Sequence, residues 1–413
     1  MNRMYFSLLL SAGFLLTSLV TMAQVTSTTN LSGQVQRVPN SATPFLNFTP
    51  DARSGALGDA GVALDNPDAH AIFWNPSKLV YAKQNSGAAV SYTPWLRDLI
   101  GDMYYGYFSG YKKLGKDQVI GVSLLYFDLG TIDFTTAQGV SAGSFNSREY
   151  ALTASYSLRL AKNFSMGVNV KYLNSNLGGG ATFSGGQTPI QAGGTAAFDI
   201  SAYYNNSIRD AVTGKGISWG YGLMISNLGG RINYGSQERY FIPTNFRLGG
   251  LFSYHADNIS KFNFVLDLNK LMVPTPPIYG PPVNGVRPIL SGKDPNRPYL
   301  SAVFGSFADA PGGFAEELKE ITGSLGAEYW YNEQFAARVG YFGESVEKGG
   351  RQYATAGIGV RLPSLGADFS YLLPVKSGSP LANTFRITLL FNFNKNTTAA
   401  SDEPETADAD TSN

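Results

Sequence analysis

The sequence contains no cysteine and only two histidines, His70 and His255. A chain without cysteine forms no disulfide framework and offers no thiolate to a metal ion. Two histidines in 413 residues argue against a histidine metal cluster. The net charge is +1, so a polyanion such as a nucleic acid is not an expected partner. We therefore expect no metal ion, no cofactor and no nucleic acid.

Charged residues and long apolar runs are also scarce. Charged residues make up 15% of the chain, against roughly 25% in ordinary soluble domains. After residue 23 no run of about 18 apolar residues occurs, which excludes membrane-spanning helices. Aromatic residues are abundant instead, with 24 Tyr and 26 Phe. This composition favours an outer-membrane barrel over a soluble exported domain.

The first residues have the pattern of a secretory signal peptide. Arg3 supplies the positive start, and residues 6–20 form an apolar core interrupted only by Ser, Thr and Gly. Small residues before Gln24 provide a cleavage site. We therefore predict that residues 1–23 are a signal peptide and that the mature chain is exported.

Residues 384–393 show the alternation that recurs along most of the chain. Phe385, Ile387 and Leu389 fall on one face of a strand, while Arg386 and Thr388 fall on the other. A fully apolar face opposite a polar one is typical of a strand with lipid on one side and a polar lumen on the other.

Counting such segments predicts fourteen strands, with short and long links between them in turn. Short periplasmic turns and long outer loops are the rule for outer-membrane barrels. The sequence therefore predicts an all-β fold, a 14-stranded antiparallel transmembrane β-barrel over residues 86–393, located in the outer membrane. The predicted strands are 86–94, 102–113, 118–128, 147–160, 164–176, 195–206, 217–228, 244–254, 260–270, 321–331, 334–343, 352–361, 365–373 and 383–393.

Two further segments lie outside the predicted strands. A barrel of fourteen strands is too wide to be filled by its own side chains. We predict that the N-terminal segment, residues 24–85, closes the lumen, and we call its part 44–85 the hatch. Glycines permit close packing of backbone inside a barrel, and the hatch has them at Gly55, Gly58 and Gly61. Residues 394–413 are polar and acidic, and we predict a disordered periplasmic tail.

The long outer loop, residues 271–320, is the most suggestive functional element. It begins with a proline-rich, polyproline-like stretch. We predict a short helix over 314–320, capped by Asp309. Phe304, Phe307 and Phe314 either anchor a protein partner or cover the barrel mouth and seal the lumen.

Two patterns resemble catalytic motifs. Residues 216–220 read Gly-Ile-Ser-Trp-Gly, the string of a nucleophile elbow. The elbow requires a strand–turn–helix context, whereas this string begins a predicted barrel strand. His70 lies near Asp65 and Asp68, but a hydrogen-bonded histidine inside the hatch explains it better. We predict no catalytic residue.

The hatch and strand count resemble the FadL-type outer-membrane family, whose members have an Asn-Pro motif in the hatch and a fourteen-stranded barrel. Here the motif is Asn75-Pro76. Within that family the chain more closely resembles the PorV branch, also called LptO. The residues that carry this similarity are 51–55, 58–61, Asn75-Pro76 and 306–314 with its acidic continuation.

The resemblance implies a non-enzymatic part of the type IX protein secretion system. Such proteins bind C-terminal signal domains of exported cargo and dock on the translocon barrel. They then deliver cargo to a sortase-like complex that attaches it to lipopolysaccharide. For partner contact we predict Phe304, Phe307, Asp309 and Phe314.

Two other functions stay open. A FadL-like channel for hydrophobic small molecules would need an apolar pocket beside the hatch, using Phe73 and Trp74, and a lateral gap in the wall. A lipopolysaccharide deacylase would need a serine, a histidine and an acid on one surface.

Overall fold

The computed structural model describes residues 28–29, 35–97, 100–135, 139–179, 191–376 and 379–393. Within these ranges fourteen antiparallel strands form one closed barrel. The predicted signal peptide, 1–23, and acidic tail, 394–413, lie outside the described residues. The strands are β1 (Ser86–Pro94), β2 (Tyr104–Lys113), β3 (Gln118–Thr135), β4 (Ser141–Ala161), β5 (Phe164–Asn176), β6 (Gly193–Arg209), β7 (Gly216–Gly229), β8 (Asn245–His255), β9 (Ser260–Leu271), β10 (Ile321–Tyr331), β11 (Phe335–Gly343), β12 (Gln352–Arg361), β13 (Leu365–Pro374) and β14 (Phe385–Phe393).

Each strand pairs with its neighbours in sequence, and the last strand pairs with the first. β14 and β1 are antiparallel, with Phe393 opposite Ser86 and Ile387 opposite Tyr92. Closure leaves no unpaired edge, which is what a strand-built membrane protein requires. The predicted fourteen-stranded antiparallel barrel is confirmed. The end with the short links is called the periplasmic end below, and the opposite end the outer end.

The two faces of each strand differ as the alternation predicts. On β14, Arg386 and Thr388 are 2% and 1% exposed, whereas Ile387 and Leu389 are 42% and 39% exposed. The polar side chains therefore point into the lumen and the apolar ones outward, because successive residues of a strand face opposite sides.

The hairpin of β3 and β4 is longer than the sequence predicts. The predicted strands end at 128 and restart at 147, but the observed pairing continues, with Ile132 opposite Phe145. A register shift occurs between Asp128 and Thr131. Beyond it the residues are mostly polar, so the apolar alternation stops while the backbone hydrogen bonds persist. The prediction of a long link over 129–146 is therefore wrong.

Short elements accompany the barrel. No described helix is both long enough and apolar enough to cross a membrane. Two short strand pairs join Thr28–Thr29 to Val35–Gln36 and Ile278–Tyr279 to Ile289–Ser291. The helices are Ala52–Gly55, Ala71–Trp74, Tyr299–Gly305 and Phe314–Lys319, and the 3₁₀ turns are Pro44–Asn47, Pro76–Tyr81 and Val346–Lys348.

Candidate functional site

The N-terminal segment runs through the lumen from the outer end to the periplasmic end. At the outer end, Arg37 donates two hydrogen bonds of 3.0 Å to Glu316 of the long outer loop. At the periplasmic end, the Ser157 hydroxyl of β4 donates to the Pro76 carbonyl at 2.7 Å. The hatch between these points is largely buried. It therefore lies across the interior of the barrel.

The three predicted hatch glycines lie where a side chain would overlap with its surroundings. A Cβ atom at Gly58 would lie 2.4 Å from a backbone oxygen of β11, and the φ of Gly58 is +68°. A Cβ atom at Gly61 would lie 2.2 Å from the Trp74 ring, and one at Gly55 would lie 2.9 Å from the Arg386 side chain. Glycine is therefore required for the hatch to approach the wall this closely.

Replacing Gly58 with alanine should destabilise the seated hatch. The substitution combines a left-handed backbone conformation with a steric overlap, and we expect a loss of roughly 1–3 kcal/mol. The measurement is the temperature at which the purified barrel loses its compact migration in denaturing gels. Gly323→Ala on β10 is the control, because nothing lies within 4 Å of the added Cβ atom. Equal melting of both variants would contradict this account.

The Asn75-Pro76 motif fixes the hatch to the barrel wall. The Asn75 amide donates to the carbonyl of Val62 at 3.1 Å and to that of Ala202 on β6 at 3.0 Å. Its side-chain oxygen accepts from the Ser77 backbone N–H and so caps the turn Pro76–Tyr81. Proline suits the first position of this turn because its missing N–H would have no partner there. The motif is therefore a structural clamp.

A buried ion-pair network joins the hatch to strands β10 to β13. Arg53 donates two hydrogen bonds to Glu328, at 3.0 and 2.8 Å. Glu328 also accepts from Arg338 at 2.6 Å, and Arg338 pairs with Asp368 at 2.7 Å. Sequence reasoning missed this network, because 275 residues separate Arg53 from Glu328.

The long outer loop is folded, and its helix begins at Phe314, as the sequence predicts. The helix is Phe314–Lys319, and Gly313 occupies its N-cap position. The prediction that Asp309 caps it is wrong, because the Asp309 carboxylate instead accepts from Arg297 at 2.8 Å and from the Thr275 N–H at 3.3 Å. The segment before the helix is held by Glu317, which accepts from the Asp309 N–H at 2.7 Å.

A cluster of charges beneath this helix fixes the loop to the barrel rim. Lys348 contacts Glu316 and Glu320, each at 2.7 Å, and Lys270 contacts Glu320 at 2.5 Å. Burial raises the pKa of Glu316, but hydrogen bonds from Arg37 and Lys348 outweigh burial and lower it to about 2. Glu316 therefore stays ionised at neutral pH, and the N-terminal segment and the loop are held together.

The predicted contact residues differ in accessibility. Phe314 and Phe304 are 76% and 54% exposed. Phe307 is 43% exposed and packs edge-to-face on Phe246, with 5.9 Å between ring centroids. Asp309 is buried, so it positions the loop and offers no direct contact. All three predicted phenylalanines are therefore accessible, with Phe304 and Phe314 more exposed than Phe307.

Each of these two phenylalanines has an exposed leucine on the same helix. Leu300 precedes Phe304 by four residues, and Leu318 follows Phe314 by four; both leucines are more than half exposed. Residues four apart share one face of a helix. The spacing is visible in the sequence and would have identified both leucines. We call these four residues the apolar loop surface.

A cavity of about 880 Å³ lies between the hatch and the outer links. Its wall includes Trp74 of the hatch, Arg247 of β8 and Lys376 of the outer link after β13. Residues of both signs line it together with aromatic side chains. The lumen is therefore only partly filled above the hatch.

The catalytic-looking patterns each form part of a hydrogen-bonded pair. Ser218 Oγ lies 3.0 Å from His255 Nε2, with the two residues on adjacent strands β7 and β8. The string 216–220 is strand, so the elbow geometry is absent. Among the described residues no carboxylate forms a hydrogen bond with the His255 ring, so this pair lacks the orienting acid of a triad.

His70 has both partners of a triad but no space for a substrate. Its Nδ1 atom lies 3.2 Å from Asp68, and its Nε2 atom lies 2.8 Å from Ser91 Oγ. Ser91 also shares a hydrogen bond with Thr388 at 2.7 Å. His70 and Ser91 are each 2% exposed inside the barrel. In the described part of the chain no group of three or more metal-binding side chains could hold an ion.

Alanine at His70 or His255 should leave the acylation of lipopolysaccharide unchanged. We expect this because the His255 pair lacks an acid and the His70 set is buried. Mass spectra of lipid A from cells that carry each variant give the test, with cells lacking the protein as reference. A change that depends on either histidine would restore the deacylase interpretation.

Comparison with known proteins gives a family match and several structural neighbours. A family model described as "Type IX secretion system protein PorV" matches residues 31–278. No curated protein matches the sequence. Among solved structures, a FadL homologue of Pseudomonas aeruginosa is 12% identical, with a TM-score of 0.43, and the match covers 87% of this chain and 100% of that one. The Pseudomonas putida toluene transporter TodX is 11% identical, with a TM-score of 0.42 and coverage of 82% and 95%.

Proposed function

The chain belongs to the PorV family of type IX secretion system proteins, and we propose that it is the outer-membrane carrier of that system. In this proposal it binds the C-terminal signal domains of exported cargo and docks on the translocon barrel. It then transfers the cargo to a sortase-like complex that attaches it to lipopolysaccharide. The barrel itself performs no chemistry.

The observation that carries this proposal is the apolar loop surface at the outer end. Leu300, Phe304, Phe314 and Leu318 expose apolar side chains on two helices. Exposed aromatic residues on a rigid frame are the usual anchors of protein interfaces. The charge cluster beneath the loop supplies the rigidity, so a partner would bind without ordering the loop first.

The fixed position of the hatch supports the proposal that cargo is carried outside the lumen. It is held by the Asn75 amide and by the ion pairs of Arg53. Passage of a protein through the barrel would break these contacts, whereas binding at the outer end leaves them intact. In this proposal the filled barrel is a rigid support, and cargo contacts only the outer loops.

The hydrophobic-channel alternative depends on a lateral gap beside the hatch. The ladder between β6 and β7 does shift register, between Phe198 and Ile200. The side chain of Asp199 fills this position, accepting from the Asn227 N–H at 2.8 Å and pairing with Lys171 at 2.8 Å. The wall is thus closed by polar groups at this point, which favours the carrier.

Crosslinking in intact cells followed by purification of the protein tests the proposal. We expect recovery of secreted proteins that share a C-terminal domain, together with a large translocon barrel. A crosslinked sample that contains only fatty acids or other small hydrophobic molecules would reverse the ranking.

A further inference from the structure

Arg247 is a buried cation that has no ion pair with any residue that the structure describes. It lies on β8 with its side chain in the lumen and is 3% exposed. Its guanidinium carbon is 5.0 Å from the Phe73 ring centroid and 5.2 Å from that of Trp74. One terminal nitrogen donates to Asn47 at 3.3 Å. The Nε and Nη1 atoms have no hydrogen-bond partner among the described residues.

Three other buried cations of the lumen are paired with carboxylates, whereas Lys78 donates to the Gly61 carbonyl. Arg53 and Arg338 share Glu328, and Lys171 is paired with Asp199. Arg247 forms no salt bridge with any described residue, and its hydrogen bond goes to the neutral Asn47 amide. A buried charge without a partner is costly, so the position of Arg247 calls for an explanation.

Asp199 and Asp267 are the two carboxylates that interact most strongly with the charge of Arg247, but both are already bound to other groups. Asp199 accepts from Asn169 at 2.7 Å in addition to its ion pair with Lys171. Asp267 accepts from the backbone N–H groups of Gly61 and Val62, at 2.7 and 2.9 Å. Neither can turn to Arg247 without losing these bonds.

Arg247 forms part of the wall of the 880 Å³ cavity above the hatch, which has an excess of basic residues. Five basic and three acidic side chains line it. The acids are held within the protein: Glu320 by Lys348, Glu344 by Arg351, and Asp59 by the Tyr353 hydroxyl. Aromatic and aliphatic groups complete the wall beside Arg247.

We propose that this cavity binds a carboxylate and that Arg247 is its anchor. A single unpaired guanidinium beside aromatic rings matches a singly charged planar anion with an apolar body. The ligand enters from the outer end, because the cavity extends to the outer links. Two sources provide this chemistry: the terminal carboxylate of a polypeptide, or a free fatty acid. The site goes beyond the carrier function and does not depend on it.

Tryptophan fluorescence of the purified full-length protein in nonionic detergent tests the proposal, because Trp74 and Trp95 both line the cavity. One arm compares a short acetylated peptide that ends in a free carboxylate with its carboxamide. The other arm compares decanoate with 1-decanol. We expect at least one carboxylate to bind about tenfold or more tightly than its neutral analogue, and Arg247→Gln to abolish this difference.

Arg351→Gln is the matched control. It removes the same charge from the same cavity, but Arg351 is exposed and paired with Glu344. We expect this variant to keep the preference for the carboxylate. Compact gel migration verifies that each variant is folded; if Arg247→Gln is not, the comparison of carboxylate with neutral analogue on the unmodified protein decides.

Each outcome has a defined meaning. Binding of the peptide alone identifies a polypeptide terminus, binding of decanoate alone identifies a fatty acid, and either supports the site. No binding by any probe, or equal binding of charged and neutral forms, overturns it. Recovery of cargo after crosslinking is measured separately, so failure of the cavity proposal would leave the carrier proposal standing.

Discussion

Aspartate at both Phe304 and Phe314 should abolish display of cargo on the cell surface while leaving the barrel intact. Both side chains are more than half exposed, so the folded protein loses little when they change. At an interface each would be an anchor worth about 2 kcal/mol, and a buried carboxylate adds a desolvation cost. Loss of both anchors corresponds to roughly three orders of magnitude in affinity.

The measurement is the amount of cargo that a protease or antibody reaches on intact cells. We expect a decrease of about tenfold or more. Leu290→Asp is the control, because Leu290 is 67% exposed in the same loop but lies on its short strand pair, outside the apolar loop surface. Normal display by the double variant would remove the loop from the mechanism. Equal loss in the control would point to a general effect of charge.

Alanine at Glu328 should produce the largest loss of stability. The substitution leaves Arg53 without its strongest partner and removes one of the two carboxylates that hold Arg338. Glu328 and Arg338 are fully buried as side chains. Breaking a buried pair by removing one partner costs about 3–5 kcal/mol, because an uncompensated charge remains.

Unfolding in denaturant, followed by gel migration or circular dichroism, measures this loss. Glu333→Ala is the control, because the Lys83–Glu333 pair is exposed on both sides and such pairs contribute about 0–1 kcal/mol. We also expect cells with Glu328→Ala to admit large antibiotics, since Arg53 helps to seat the hatch. A variant as stable as the control would show that the network contributes little.

The strand spans could be predicted closely because alternation is a local property. The prediction 321–331 for β10 and 164–176 for β5 agrees with the observed strands. It failed where the pattern fades although pairing continues, in the polar extension of β3 and β4. Apolar and polar residues alternate because one face of a strand meets lipid. Above the membrane both faces meet water, so the alternation is lost there.

The candidate site was predictable only in part. Phe304 and Phe314 could be predicted because the outer loop is rich in aromatic residues. Their leucine partners could be predicted from the spacing of four residues. The roles of Asp309 and Arg247 do not follow from any local pattern. Asp309 is buried because Arg297 and Thr275 contact it. Arg247 has no ion pair within the described residues, because the nearby carboxylates bind other groups.

The sequence by itself determined the number of strands, the direction of each face and the presence of a glycine-rich segment to close the lumen. These follow from side-chain periodicity and from the width of a fourteen-stranded barrel. The tertiary structure alone decided which buried charges meet across the lumen, such as Arg53 and Glu328, and that Arg247 has no carboxylate partner among the described residues. Those outcomes depend on barrel closure, which brings residues hundreds of positions apart within hydrogen-bonding distance.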